Sequence, residues 1–295
     1  MNLSTSSTNH KINLAHSMLN EETRILDQAR VTVYQFLSLA TSKPQSEKWT
    51  RLLDPGFQKL AQAAVDVIRE DPRARPQHMA PGELPIEALE LTPLISFLQH
   101  PQGDFSEEFD RIFGLLISRE CPPYETEYYP QTFSVFRSQH LADIAGYYRA
   151  FGLEPSNKSP ERHDHISLEL EFMAWLNTKT IYAQEQGDSK NESICRDTQT
   201  HFVKGHIAWW VTAFALALRK KADGIRDERD LASLPKSFQG AIGFLLAAFI
   251  PAERAILGIA PPTILTAANV LASDDVSETE GCGSCASFNV DTNFE

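Results

Sequence analysis

Between Glu21 and Ala40 the apolar residues Ile25, Ala29, Val33, Phe36, Leu37 and Ala40 recur at steps of three and four, a spacing that predicts an amphipathic helix. Asn20 stands where an N-cap belongs, and Glu21 and Glu22 follow at the positive helix end. Lys43-Pro44 breaks that helix, and shorter helical pieces follow at 47–53 and 57–70. Pro72, Pro76, Pro81 and Pro85 then mark a loop. The helical period returns at 86–99 and at 106–117, where Phe109, Ile112, Phe113 and Leu116 form a stripe behind a Ser106 cap and the acidic Glu107 and Glu108.

Pro122 and Pro123 exclude helix from the start of the stretch 121–130, leaving an aromatic loop. Residues 136–151 turn Leu141, Ile144, Ala145, Tyr148 and Phe151 inward, with Gly152 placed to end the helix. The next helix is predicted from about Asp164, carrying Ile166, Leu170, Phe172 or Met173, Leu176 and Ile181, and ending near Gly187. Another is expected over 192–221, through Phe202, Trp209, Trp210 and Leu216, and a last pair over 238–249 and 252–257. No βαβ alternation and no repeat breaks this pattern, so the fold class is all-α, a single globular bundle of about ten helices. The expected organisation is a disordered N-terminal segment over 1–19, a helical domain over 20–260, and a flexible acidic tail over 270–295.

Composition narrows the function classes. Against 27 Lys and Arg stand 39 Asp and Glu in 295 residues, a net charge of −12 that repels phosphate backbones and attracts basic peptides. Nucleic acid is excluded as a partner on that ground. Residues 1–20 hold no apolar run, and the apolar runs 207–218 and 241–250 fall short of the ~20 residues that cross a bilayer, so no membrane insertion is expected. Four cysteines are too few for a disulfide scaffold, and a reducing, cytoplasmic setting fits.

Residues 161–173 set an acid and two imidazoles at the mouth of an apolar helix. Asp164, as the residue before the helix, fits an N-cap; His165 and Glu169, four apart, share a face that suits either a metal pair or a solvated contact. His163 and His165 lack a third and fourth ligand nearby in sequence. No nucleophile elbow, phosphate loop or dinucleotide fingerprint occurs, and Cys121 and Cys195 fit packed thiols, so no enzyme is expected. An acid–base pair of Asp164 and His165 is the enzymatic alternative. Cys282 and Cys285 form a Cys-x-x-Cys pair that supplies two thiolates of the four a structural zinc needs. A metal-binding helical protein built on this pair and on His163 and His165 is the second alternative.

Two blocks carry a resemblance. Glu161-Arg162-His163-Asp164-His165-Ile166, followed by Leu168 to Met173, resembles the signature of the TorD/DmsD/NarJ family of redox-enzyme maturation chaperones. Upstream, Glu108, Phe109, Ile112 and Phe113, then Pro122-Pro123-Tyr124-Glu125-Thr126-Glu127-Tyr128, resemble that family's acidic-aromatic stretch and its Pro-Pro-Tyr-Glu block. His163 stands where the family has proline. The cysteine tail is similar to that of the subgroup serving type II enzymes of the dimethyl sulfoxide reductase family. The resemblance implies an all-helical cytoplasmic chaperone without a cofactor of its own, monomer or homodimer. Its partner would be the apo form of a molybdenum-containing oxidoreductase catalytic subunit, held by its N-terminal twin-arginine signal segment until the molybdenum cofactor is inserted. By the same resemblance the client-binding residues are Asp164 and His165, with Tyr124, Glu125 and Tyr128. Such a segment joins an arginine pair to an apolar stretch, so its receptor needs carboxylates beside an apolar groove.

Overall fold

The computed structural model describes residues 4–114, 120–129, 134–154, 161–225 and 234–262. These form helices α1 (Ser4–Ala40), α2 (Pro55–Glu70), α3 (Thr92–Gln99), α4 (Phe105–Phe113), α5 (Ser134–Ala150), α6 (Ile166–Glu185), α7 (Ser189–Phe202), α8 (Val211–Asp223) and α9 (Phe238–Ile256). The all-α expectation is met: among the described residues the sole β-type pairing is a bridge between Tyr124 and His165. The tail with Cys282 and Cys285 lies outside the described residues.

Capping chemistry sets most helix ends. Asp54 accepts from the Gly56 amide at the start of α2, where Pro55 needs no partner for a missing N–H. Asp104, not Ser106, caps α4, accepting from the Ser106 and Glu107 amides, and Gly114 at φ 73° closes it. The helix α1 begins at Ser4, so Asn20 lies inside it and is not a cap. The helix expected over 86–99 is split, since Pro93 fits only the first turn of α3 and leaves a separate 3-10 turn at Ile86–Ala88. The helix expected over 192–221 is interrupted by a π turn at Val203–Ile207. Conversely, the last pair of segments is one helix, α9, with Pro251 inside it.

Packing follows the apolar stripes. The α1 helix lies along α6 and α2, α6 along α7, and α8 along α9. Gly243 lets α8 and α9 approach closely: a Cβ there would sit 2.9 Å from the Ala215 carbonyl oxygen. The α9 helix, 19 residues long, is apolar enough by composition to cross a bilayer, which its separate halves were not, but it is almost wholly buried in the core. A buried polar knot fastens α1 to α7 and α9. Arg30, 1% exposed, donates to Glu253 at 2.9 Å, to Asp27 at 3.1 Å and to Gln199 at 2.9 Å.

Candidate functional site

The loop 121–129 and the segment before α6 are laced together by backbone pairing. Glu125 N–H donates to the Asp164 carbonyl at 2.9 Å, and Ile166 N–H to the Pro123 carbonyl at 2.9 Å. These bonds flank the Tyr124–His165 bridge. The proline pair that keeps the loop out of helix therefore also presents an extended edge for this bridge. All five predicted site residues fall on this one assembly, with Tyr124, Glu125 and Tyr128 on one side and Asp164 and His165 on the other.

Their individual placements differ from the simple expectation. Asp164 is fully buried. Its Oδ2 accepts from the Thr126 amide at 3.1 Å, the Thr126 hydroxyl at 2.7 Å and Arg162 Nη2 at 2.9 Å, and its Oδ1 from Arg162 Nε at 3.0 Å. It does not cap α6; His165 does, with Nδ1 accepting from the Ser167 amide at 3.2 Å. Burial pushes the His165 imidazole down to about 4, which keeps it the neutral acceptor a cap requires. That role also removes His165 from any ligand set with His163.

Arg162 was not singled out from the sequence, yet it occupies the centre. Its guanidinium makes the two-pronged pair with Asp164, reaches Glu127 at 3.2 Å and lies 4.3 Å from the centre of the Tyr124 ring. Arg162 remains 33% exposed, and Tyr124 and Glu127 are half-buried beside it. The Tyr124 hydroxyl donates to Glu161 at 3.1 Å, and burial, with the Glu161 charge, pushes that phenol up to about 12. Two carboxylates and an aromatic face thus make a receptor for a guanidinium, and the chain's own arginine sits in it. Tyr128 faces the other way, its ring 5.3 Å from Trp210 and its buried hydroxyl without a hydrogen-bond partner.

Beneath the loop lies a second polar group. Glu125, fully buried, accepts from Trp209 Nε1 at 2.8 Å and meets His206 Nδ1 at 3.2 Å, while His206 Nε2 meets Asp143 at 3.2 Å. His140 lies against the Tyr129 hydroxyl, and His140, Glu125 and His206 bring one ligand atom each within 4.8 Å of the others. Glu169, expected on a shared face with His165, is buried beside this group and accepts from Trp210 Nε1 at 3.2 Å. Burial, then the charge of Glu125, drives its carboxyl well above the ordinary range. A hollow of about 320 Å³ lies elsewhere, lined by Phe97, Asp104, Phe105, Glu107, Arg111 and Phe238 among others, and shares no residue with this assembly.

Comparison with known proteins falls on the same region. A family model described as nitrate reductase delta subunit matches residues 84–216, a stretch that holds both motif blocks, and the family read from those blocks is borne out. The chain is also similar to the perchlorate reductase assembly chaperone protein of Dechloromonas aromatica (strain RCB), with 31% identity over 71 residues. That alignment spans 24% of this chain and 31% of the relative's length.

Proposed function

We propose that this protein is a client-specific, non-enzymatic assembly chaperone for the catalytic subunit of a molybdoenzyme. In this reading it acts in the cytoplasm and holds the N-terminal, arginine-paired segment of the apo subunit until the molybdenum cofactor is in place. The family match over 84–216 supports the chaperone role, as does the name of the perchlorate reductase relative. The observation that carries the recognition step is the arginine receptor of Asp164, Glu127 and Tyr124, occupied by Arg162.

An arginine from the client has the same planar fork and would compete with Arg162 for the same carboxylates. Arg162 is one-third exposed, which leaves its side of the pair open to a competing arginine, whereas Asp164 and His165 are fixed by burial. The net charge of −12 adds long-range attraction for the basic segment, screened by salt. Asp164 thus acts as the floor of the receptor, His165 and Glu125 hold the two segments in register, and Tyr124 supplies the aromatic wall.

The test is competition. With a fluorescently labelled twin-arginine peptide, Arg162→Ala is expected to bind roughly tenfold or more tightly than the parent, because the resident competitor is gone. Glu127→Gln is expected to bind more weakly and with a shallower salt dependence. Equal or weaker binding by Arg162→Ala, in a variant that retains its helical signal, would place the client segment elsewhere.

A further inference from the structure

We propose that Glu125, His140 and His206 hold a divalent transition-metal ion of the zinc type, independently of the client reading above. The three come from separate elements: Glu125 opens the 3-10 turn Glu125–Tyr128, His140 lies on α5, and His206 lies on the π turn Val203–Ile207. A π turn swings its side chains off the regular helical positions and is frequent at functional sites. Here it directs His206 toward Glu125.

The hydrogen-bond arithmetic at His206 points to a cation. Each ring nitrogen faces a carboxylate oxygen at 3.2 Å, Nδ1 toward Glu125 and Nε2 toward Asp143. A neutral imidazole has one N–H to share between two acceptors. If Asp143 takes the Nε2 proton, the Nδ1 lone pair lies against the buried Glu125 carboxylate, a repulsive contact that a shared metal ion turns into two coordinate bonds. A carboxylate holding the far nitrogen of a ligating histidine is the usual support for such a site, and Asp143 is placed for it.

The neighbours fit. Glu125 is fully buried, and among the described residues no lysine or arginine pairs with it. A buried carboxylate without a cation is costly, and a metal ion supplies the missing charge. Two imidazoles and one carboxylate suit zinc or a related ion rather than calcium or magnesium. Ligand atoms around zinc lie about 3.3 Å apart. The set of atoms within 4.8 Å therefore contracts by on the order of 1 Å on binding, with His140 exchanging its contact with the Tyr129 hydroxyl, 2.7 Å away, for the ion.

The experiment uses the full chain with Cys282→Ser and Cys285→Ser, so that the tail thiols contribute nothing, stripped of metal with a chelator and titrated with Co²⁺ and then Zn²⁺. Expected are one equivalent of saturable cobalt with visible absorption bands lacking thiolate charge transfer, displacement by zinc, and a zinc-dependent rise in melting temperature. His140→Gln, at a half-buried position, is expected to keep its circular dichroism and lose binding at least tenfold; Asp143→Asn is expected to lose it tenfold or more as well. Absence of saturable cobalt in the serine background overturns the proposal. Binding that His140→Gln leaves unchanged overturns it equally.

Discussion

Replacing Asp164 by asparagine is the sharpest perturbation of the loop assembly, because it keeps the shape and removes the charge. Asp164 accepts four hydrogen bonds, two of them from Arg162. An asparagine has one acceptor oxygen. If that oxygen stays with Thr126, the amide nitrogen meets Arg162 Nε donor to donor. At least one charge-assisted bond is lost, and such bonds are worth about 1.5–3 kcal/mol when buried. Arg162 is 33% exposed, so water compensates part of its side of the loss. The expected destabilisation is then on the order of 2–3 kcal/mol, which for a domain of this size lowers Tm by roughly 4–12 °C. Circular-dichroism melts of Asp164→Asn, Arg162→Ala and the double variant measure it, and the cycle should give a coupling of about 1–2 kcal/mol. A melting temperature within a degree of the parent, or a coupling of zero, would refute the inference that Asp164 is the buried anchor of this loop. Peptide binding lost in Asp164→Asn with stability intact would mean that the carboxylate meets the client directly.

The pH dependence of stability tests His165. Its folded-state value of about 4 lies below the ordinary histidine range near 6.5, so its contribution is present above pH ~6.5 and is lost as the pH falls toward 4. The stability gap between parent and His165→Asn should shrink by on the order of 2–3 kcal/mol between about pH 7.5 and about pH 4.5 in chemical denaturation; a constant gap would contradict the buried neutral cap. At the knot between α1, α7 and α9, Arg30→Met leaves Glu253 buried without its guanidinium and should cost about 3–5 kcal/mol. Urea midpoints check it, and a loss under 1 kcal/mol would refute the knot as a fastening between these helices.

Several features were legible in the chain because local chemistry decides them. The three-and-four spacing of Ile25, Ala29, Val33 and Phe36 gave a real helix face, and Ala29, Val33 and Phe36 are buried on it. Pro122-Pro123 gave a non-helical loop, and the Pro-Pro-Tyr-Glu and Arg-His-Asp-His blocks gave the resemblance that the family match over 84–216 bears out. Helix ends were less legible, since Asp104 and Ser106 are both good caps by residue type and it is Asp104 that accepts from the free amides of α4.

What the sequence could not state is who meets whom. Asp164 stands just before a helix and has the chemistry of a cap, yet the bridge between Tyr124 and His165 turns its carboxylate toward Thr126 and Arg162 and hands the cap to His165. Arg162 was not singled out in the chain, and only the fold closes Glu127, 35 residues earlier, around it. Glu125 and His206, 81 residues apart, have no shared period or motif. Helical periodicity is a property of neighbours three and four apart, so it settles in one dimension, whereas charge pairing across the loop, α5 and the π turn exists only once the apolar faces have packed and brought those segments together.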